Sequence, residues 1–297
     1  MRFTNQFDSS KEINFFKILK WKLLNTKNRE NESSNLKIKH DIAILNSKDD
    51  FICWLGHATC LVQLNGKRFL LDPVFGDIPF YKREIEFPYG FRDLGKIDYL
   101  LISHTHYDHF DAPSIKKILK QKPCIITPLG MKNYITKIDK NAKVIELDWY
   151  EKYVINIKLS VHLTPAKHWG RRGLFDTNRA LWGGFVINSN QKTIFFAGDS
   201  AYDSHFKDIG RKYNIDYAIL PIGAYKPEFV MKTNHLNPKE AFEAFLDLGA
   251  KKMIPMHYGT FKLTSEPINE PKAWIEKIRK ENIVKICIYD IGEVQKI

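Results

Sequence analysis

Residues 98–111, DYLLISHTHYDHFD, carry an apolar run straight into three histidines and two aspartates. A helix is expected to follow at once, because Asp111 can cap it and Pro113 suits its first turn. His104, His106, Asp108 and His109 are therefore presented together at a strand's C-terminal end, in the pattern H-x-H-x-D-H. Within so tight a turn, His104 and His106 can face one cation while Asp108 and His109 face a second. Imidazole and carboxylate are ligands shared by zinc, iron and manganese. Structural zinc sites are commonly closed by sulfur, and no cysteine lies nearby. The stretch points to a metal centre, and a solvated polar turn would rarely assemble these four residues.

Paired ions about 3.5–4 Å apart need more ligands than one turn offers. Three candidates stand where later apolar strands give way to polar loops: His168 after VHLTPAK, Asp199 after TIFFAG and His257 after KKMIPM. Asp199 is the natural bridge, since one carboxylate can offer an oxygen to each metal. Asp108, inside the turn, and His235, just ahead of a helix in KTNHLNPKEAF, are the candidate catalytic residues. Arg171 and Arg172 follow His168 and are candidates to hold phosphate, with Tyr225, Tyr107 and Trp169 as an apolar wall. His57 reads as a group behind the ligands or as simple packing. His162 alternates within an apolar strand and reads as structural, whereas His40 and His205 have no supporting context.

Around these positions the chain reads as many strands with helices between them. LNGKR suggests a hairpin turn, and NPKEAFEAFLDLG suggests a helix stopped by Gly249. Two sheets packed together with helices outside, a single α/β sandwich, is the expected architecture. Residues 13–24 interleave Phe15, Phe16, Ile18, Leu19, Trp21, Leu23 and Leu24 with Lys17, Lys20 and Lys22. That pattern suits an amphipathic helix, docked on the protein's own core or on an anionic membrane. Residues 25–37 are polar and unpatterned and read as a linker or mobile loop. The expected division is residues 1–49 as an N-terminal helix and linker, then the domain that carries the metal-ligand candidates over 50–297.

Composition excludes several classes. No apolar run approaches about 18 residues, so no transmembrane helix is expected. The N-terminus has no uninterrupted apolar core and no small-residue cleavage site, so no secretory signal is expected either. The four cysteines show no paired spacing, which fits a reducing, cytoplasmic compartment. The 46 Lys and Arg against 34 Asp and Glu give a net charge of +12, a field that favours anionic partners. No basic run interleaved with aromatics suggests nucleic-acid binding.

The sequence resembles the metallo-β-lactamase-fold hydrolases, and within them the branch containing N-acyl-phosphatidylethanolamine-hydrolysing phospholipase D. The likeness runs in family order over roughly residues 50 to 263. It is carried by WLGHATCLVQ, LLDPVF, LLISHTHYDHFD, VIELDWYE, AKHWGRRGLFDTNRALWGGFVI, FFAGDSAYD, PIGAYKPEFVMKTNHLNPKEA and MHYGTF. The H-x-H-x-D-H pattern specifies only the superfamily, whereas HWGRR with LWGG and PIGAYKP with HLNPKEA are more selective. The resemblance implies a four-layer αββα sandwich. It implies His104, His106 and His168 on a first metal, Asp108, His109 and His257 on a second, and Asp199 between them. It also implies an active-site place for His235 outside the metal ligands. The first fifty residues carry no family motif, and the segment between Phe75 and Leu94 is shorter than in the eukaryotic enzymes. Those regions help form the lipid-facing side and the oligomer in that family.

The expected function is a phosphodiesterase of the phospholipase D type, using two Zn²⁺, with Fe or Mn as alternatives, on N-acyl-phosphatidylethanolamine-like lipids. The expected partners are a phospholipid or other anionic phosphodiester, a peripheral membrane contact and a second copy as homodimer. The expected location is cytoplasmic, at the inner face of a membrane. A lactone or sugar-phosphate lactone hydrolase on the same scaffold is the alternative enzyme. A membrane-associated binding protein with structural metals is the alternative outside enzymes.

Overall fold

The computed structural model describes residues 2–6 and 32–297, and the expected helix over 13–24 falls outside them. A short helix, α1 (Ile42–Leu45), leads into a meander of β1 (Phe51–Trp54), β2 (Cys60–Leu64) and β3 (Lys67–Leu71). Asn65 and Gly66, with φ of 49° and 69°, make the two-residue turn that LNGKR suggests. Positive φ at both positions matches the twist of the flanking strands. From β3 the chain turns parallel through β4 (Tyr99–Leu101), β5 (Cys124–Pro128) and β6 (Val144–Leu147). The crossovers contain α2 (Ala112–Leu119), capped by Asp111 through the Ser114 N–H, and α3 (Lys132–Ile135).

A second sheet begins antiparallel with β7 (Lys152–Asn156), β8 (Leu159–Thr164), β9 (Gly184–Ser189) and β10 (Thr193–Phe196). It ends parallel with β11 (Tyr217–Pro221) and β12 (Lys252–Met256). Its crossovers hold α4 (His205–Lys212), α5 (Glu228–Met231) and α6 (Pro238–Asp247). Gly249, at φ 59°, follows the last turn of α6, as expected of a helix stop. After α7 (Glu270–Glu281), β13 (Val294–Lys296) returns to the first sheet beside β1. Among the described residues the sheets have seven strands, ordered β13-β1-β2-β3-β4-β5-β6, and six, ordered β12-β11-β10-β9-β8-β7.

Period-two alternation sorts the strands of the first sheet between two cores. Ile52, Trp54, Val62 and Phe69 join Phe185, Phe195 and Phe196 in the core that includes residues of both sheets. Their neighbours Phe51, Cys53, Leu61 and Leu70 pack instead with Ile115 and Ile118 of α2. A strand buried on both faces is what makes the sequence read as continuous apolar runs. Burying each large side chain contributes about 1.5–3 kcal/mol, so the sandwich provides a rigid platform. The parallel strands have their C-terminal ends on common edges, where ligand sites in α/β sheets gather. Ser103–His104 follow β4, Asp199 follows β10 and His257 follows β12.

The N-terminal residues that are described lie on this platform. Leu36 and Leu45 are buried in the two cores, and Phe3 packs against the first. His205, which opens α4, is buried, and burial lowers its pKa from the ordinary 6.5 to about 3. Below 6.5 the unfolded chain takes up a proton that the folded chain refuses, so stability falls as pH drops toward 3. The slope is up to about 1.4 kcal/mol per pH unit. In His205→Phe, urea unfolding between about pH 4 and 6 should show a shallower acid dependence by up to that amount. An unchanged slope would refute this assignment.

Candidate metal centre

Three imidazole nitrogens converge above the end of β4. His106 Nδ1 lies 2.9 Å from His104 Nε2 and 3.1 Å from His168 Nε2. Neighbouring groups fix where the protons are. Ser103 Oγ donates to Asp72 Oδ2, so it can only accept from His104 Nδ1–H, at 2.9 Å. His168 Nδ1 donates to the Asn234 carbonyl, at 2.9 Å. Both rings thus keep their proton on the far nitrogen and aim a lone pair inward. Lone pairs this close repel one another unless a cation accepts them, so the donor set fits a metal ion.

A second group lies beside the first. Asp108 Oδ2 is 3.5 Å from both His109 Nε2 and His257 Nε2. His109 Nδ1 donates to Asp72 Oδ2 at 2.8 Å. Its Nε2 faces inward, buried and without a hydrogen-bond partner among the described residues. Asp199 reaches both groups. Its Oδ2 lies 3.1 Å from His109 Nε2, 3.8 Å from His168 Nε2 and 3.9 Å from His104 Nε2. Its Oδ1 lies 3.2 Å from His257 Nε2. The donor atoms of His104, His106 and His168 lie within 4.8 Å of one another, as do those of His57, Asp108, His109 and His257. Two clusters able to hold a metal are thus present, an arrangement consistent with a binuclear centre.

The electrostatics agree. Burial pushes the His104 pKa well below the ordinary imidazole value and takes His106 to about 3, keeping both neutral and available as donors. Burial also opposes the charge of Asp199, but His109 and His257 outweigh it and hold the carboxyl well below its usual range. Close backbone approach completes the geometry. A Cβ on Gly223 would meet the His257 carbonyl oxygen at 2.2 Å, so the chain after β11 can lie against the His257 turn only as glycine. Gly198, at φ 61°, would put a Cβ 2.9 Å from that of Ser103, and its absence lets Asp199 sit beside His104.

His57 does more than pack. Its Nε2–H donates to Asp108 Oδ2 at 2.9 Å, and its carbonyl accepts the His257 N–H at 2.8 Å. One residue of the β1–β2 turn therefore touches two candidate ligands, itself held by Thr260 Oγ1, which accepts the His57 N–H at 2.7 Å. His235 lies beside the same groups. Its Nδ1 lies 3.7 Å from Asp199 Oδ2, and its ring centroid is 5.2 Å from that of His168. Trp169 meets His106 edge-on at 4.6 Å. His162 is half-buried between Ser160 and Tyr213, in keeping with a structural role.

Arg172, expected to hold phosphate, is already engaged through one of its nitrogens. Its Nη1 donates to the carbonyls of Thr105 and Phe110, at 3.0 and 2.6 Å, and its guanidinium lies over Tyr107 and Phe110. It braces the H-x-H-x-D-H turn from behind. Tyr225 is likewise occupied: the side chain is buried and its hydroxyl donates to Glu270 Oε1 at 2.7 Å. Arg171 is exposed, with Nε donating to the Gly173 carbonyl. Asp72, which holds His109 and Ser103, was not singled out from sequence. Its signal was an acid ending the apolar run FLL, the same signature that exposes Asp199.

Residues 67–258 match the β-lactamase superfamily domain. The chain is 36% identical over 266 residues to N-acyl-phosphatidylethanolamine-hydrolyzing phospholipase D 1 of Caenorhabditis elegans, covering 82% of this chain and 75% of that protein. It is 36% identical over 238 residues to the mitochondrial N-acyl-phosphatidylethanolamine-hydrolyzing phospholipase D of Saccharomyces cerevisiae, covering 76% of this chain and 51% of that one. In fold it is similar to a metallo hydrolase from the archaeon Ignicoccus hospitalis, with a TM-score of 0.64 at 23% identity, covering 84% of this chain and 98% of that one. The chain belongs to the metallo-β-lactamase superfamily, as a metal-dependent hydrolase related to the N-acyl-phosphatidylethanolamine-hydrolysing phospholipases D.

Proposed function

We propose that this chain hydrolyses the phosphodiester of N-acyl-phosphatidylethanolamine-like lipids at a two-metal centre. His104, His106 and His168 hold one cation, Asp108, His109 and His257 the other, and Asp199 is shared. Zinc is the proposed occupant, with iron and manganese as the competitors that metal analysis separates. When bound, such ions lower the pKa of water and neutralise charge developing on phosphoryl oxygens. The observation that carries the lipid substrate is the identity to the C. elegans enzyme, which extends over 82% of this chain.

The chain's own groups have definite work in this reading. His57 and Asp72 keep Asp108 and His109 oriented through the bonds at 2.9 and 2.8 Å. Burial pushes the His235 pKa well below the ordinary value, so its neutral ring can hydrogen-bond a substrate oxygen without adding charge. Exposed Arg171 and the net charge of +12 favour an anionic lipid surface. The proposed contact is peripheral, and no helix among the described residues is long and apolar enough to cross a membrane.

The test offers the zinc-loaded protein N-acyl-phosphatidylethanolamine, a simple aryl phosphodiester and a lactone. D-type cleavage places the oxygen of water on phosphorus and releases N-acylethanolamine, leaving phosphatidic acid. Those two products in equal amounts are the expected result. Rapid lactone opening with no turnover of either phosphodiester would overturn the proposal in favour of the lactonase.

A further inference from the structure

The N-terminal segment 2–6 lies against the loop that carries His168, and its side chains alternate between exposed and half-buried, with Phe3 and Asn5 turned inward. Phe3 packs on the main core, and its N–H donates to the Asn178 carbonyl at 2.8 Å. Two residues on, Asn5 Oδ1 accepts from the His168 N–H at 3.1 Å and from Trp182 Nε1–H at 3.2 Å. Both partners are donors only, so the carbonyl end of the amide must face them. Trp182 Nε1 also donates to the Ala166 carbonyl at 2.9 Å. One oxygen therefore ties the segment to both ends of the long loop between β8 and β9.

We propose that Asn5 is a positioning residue for the first cation, acting through the backbone of His168. His168 lies beyond the end of β8, one residue past an isolated bridge in which the Lys167 carbonyl accepts the Ala201 N–H at 2.9 Å. Beyond that bridge, two tethers act on His168 itself. The Asn234 carbonyl fixes the ring at Nδ1, and Asn5 fixes the peptide that carries it. Together they determine where His168 Nε2 falls relative to His106 Nδ1. Partners behind metal ligands typically contribute about 10–100-fold in metal affinity. This inference rests on the reading of His168 as a ligand.

Full-length protein loaded with cobalt(II) tests it, by visible absorption and by chelator competition for each ion. Asn5→Ala should weaken one of the two cobalt ions by about tenfold or more, alter its absorption band and leave the other ion unchanged. Asn5→Asp keeps an acceptor oxygen and should restore binding to within about threefold of wild type. Thermal melts of the metal-free proteins separate this from a general loss of stability, which would weaken both ions together. Equal binding of both ions by Asn5→Ala, parallel weakening of both, or no rescue by Asn5→Asp would overturn the inference. A wild-type chain that takes up no cobalt would overturn the metal reading itself, and this inference with it.

Discussion

Asp199→Ala is expected to lower kcat/KM by about 10³-fold or more and to reduce bound metal from two ions per chain to one or fewer. Asp199 is the carboxylate that lies within 4 Å of nitrogens from both triads, 3.1 Å from His109 Nε2 and 3.8 Å from His168 Nε2. Two cations in one buried pocket repel strongly, and a shared anion is what offsets that repulsion. A thousandfold loss corresponds to about 4 kcal/mol, within reach of a single electrostatic contact in a water-poor site. Asp199→Asn preserves shape and removes charge, so it should fall nearly as far. Metal analysis and phosphodiester turnover on the same samples decide the matter. Two retained ions with activity within tenfold of wild type would falsify the bridging role.

Asp72→Ala is expected to destabilise the metal-free protein by about 3–5 kcal/mol in urea unfolding. Asp72 is fully buried and accepts from the Ser103 N–H, the Ser103 hydroxyl and His109 Nδ1. Truncation strands all three donors, each at about 1–3 kcal/mol, although relaxation of the site recovers part of that. The backbone adds to the effect, because residue 72 sits at φ 41°, where alanine is strained. His109 would also lose the partner that fixes its proton, so metal affinity should fall by about 10–100-fold. A loss of stability below about 1 kcal/mol would show that Asp72 is not the anchor described.

Much of this centre was legible in the sequence because each proposed ligand ends an apolar run. Strand C-termini on a shared edge turn that linear signature into proximity, so Asp199 and His257 could be placed beside His104 once the H-x-H-x-D-H turn marked a metal centre. The sandwich was legible for the same reason, through alternating and continuous apolar strands. Groups that act through backbone atoms were not. The Asn234 carbonyl that fixes His168 has no side-chain signature, and neither does the Asn5 contact across 163 positions. A basic residue beside a candidate ligand, such as Arg172, looks wholly available in the sequence, whereas here two carbonyls occupy its Nη1 and two aromatic rings lie against its guanidinium. Sequence gives the charge of such a residue but not what already occupies it.

The two triads draw on both halves of the sandwich. His104 and His106, like Asp108 and His109, follow a strand of the first sheet, whereas His168, Asp199 and His257 follow strands of the second. Neither half alone can close a coordination shell. An ion bound here is therefore a reversible cross-link between distant parts of the chain, one that exists only after the sheets have docked. By mass action, whatever free metal the surroundings supply sets how firmly the halves stay joined. The resistance of this protein to unfolding is then partly a property of its medium.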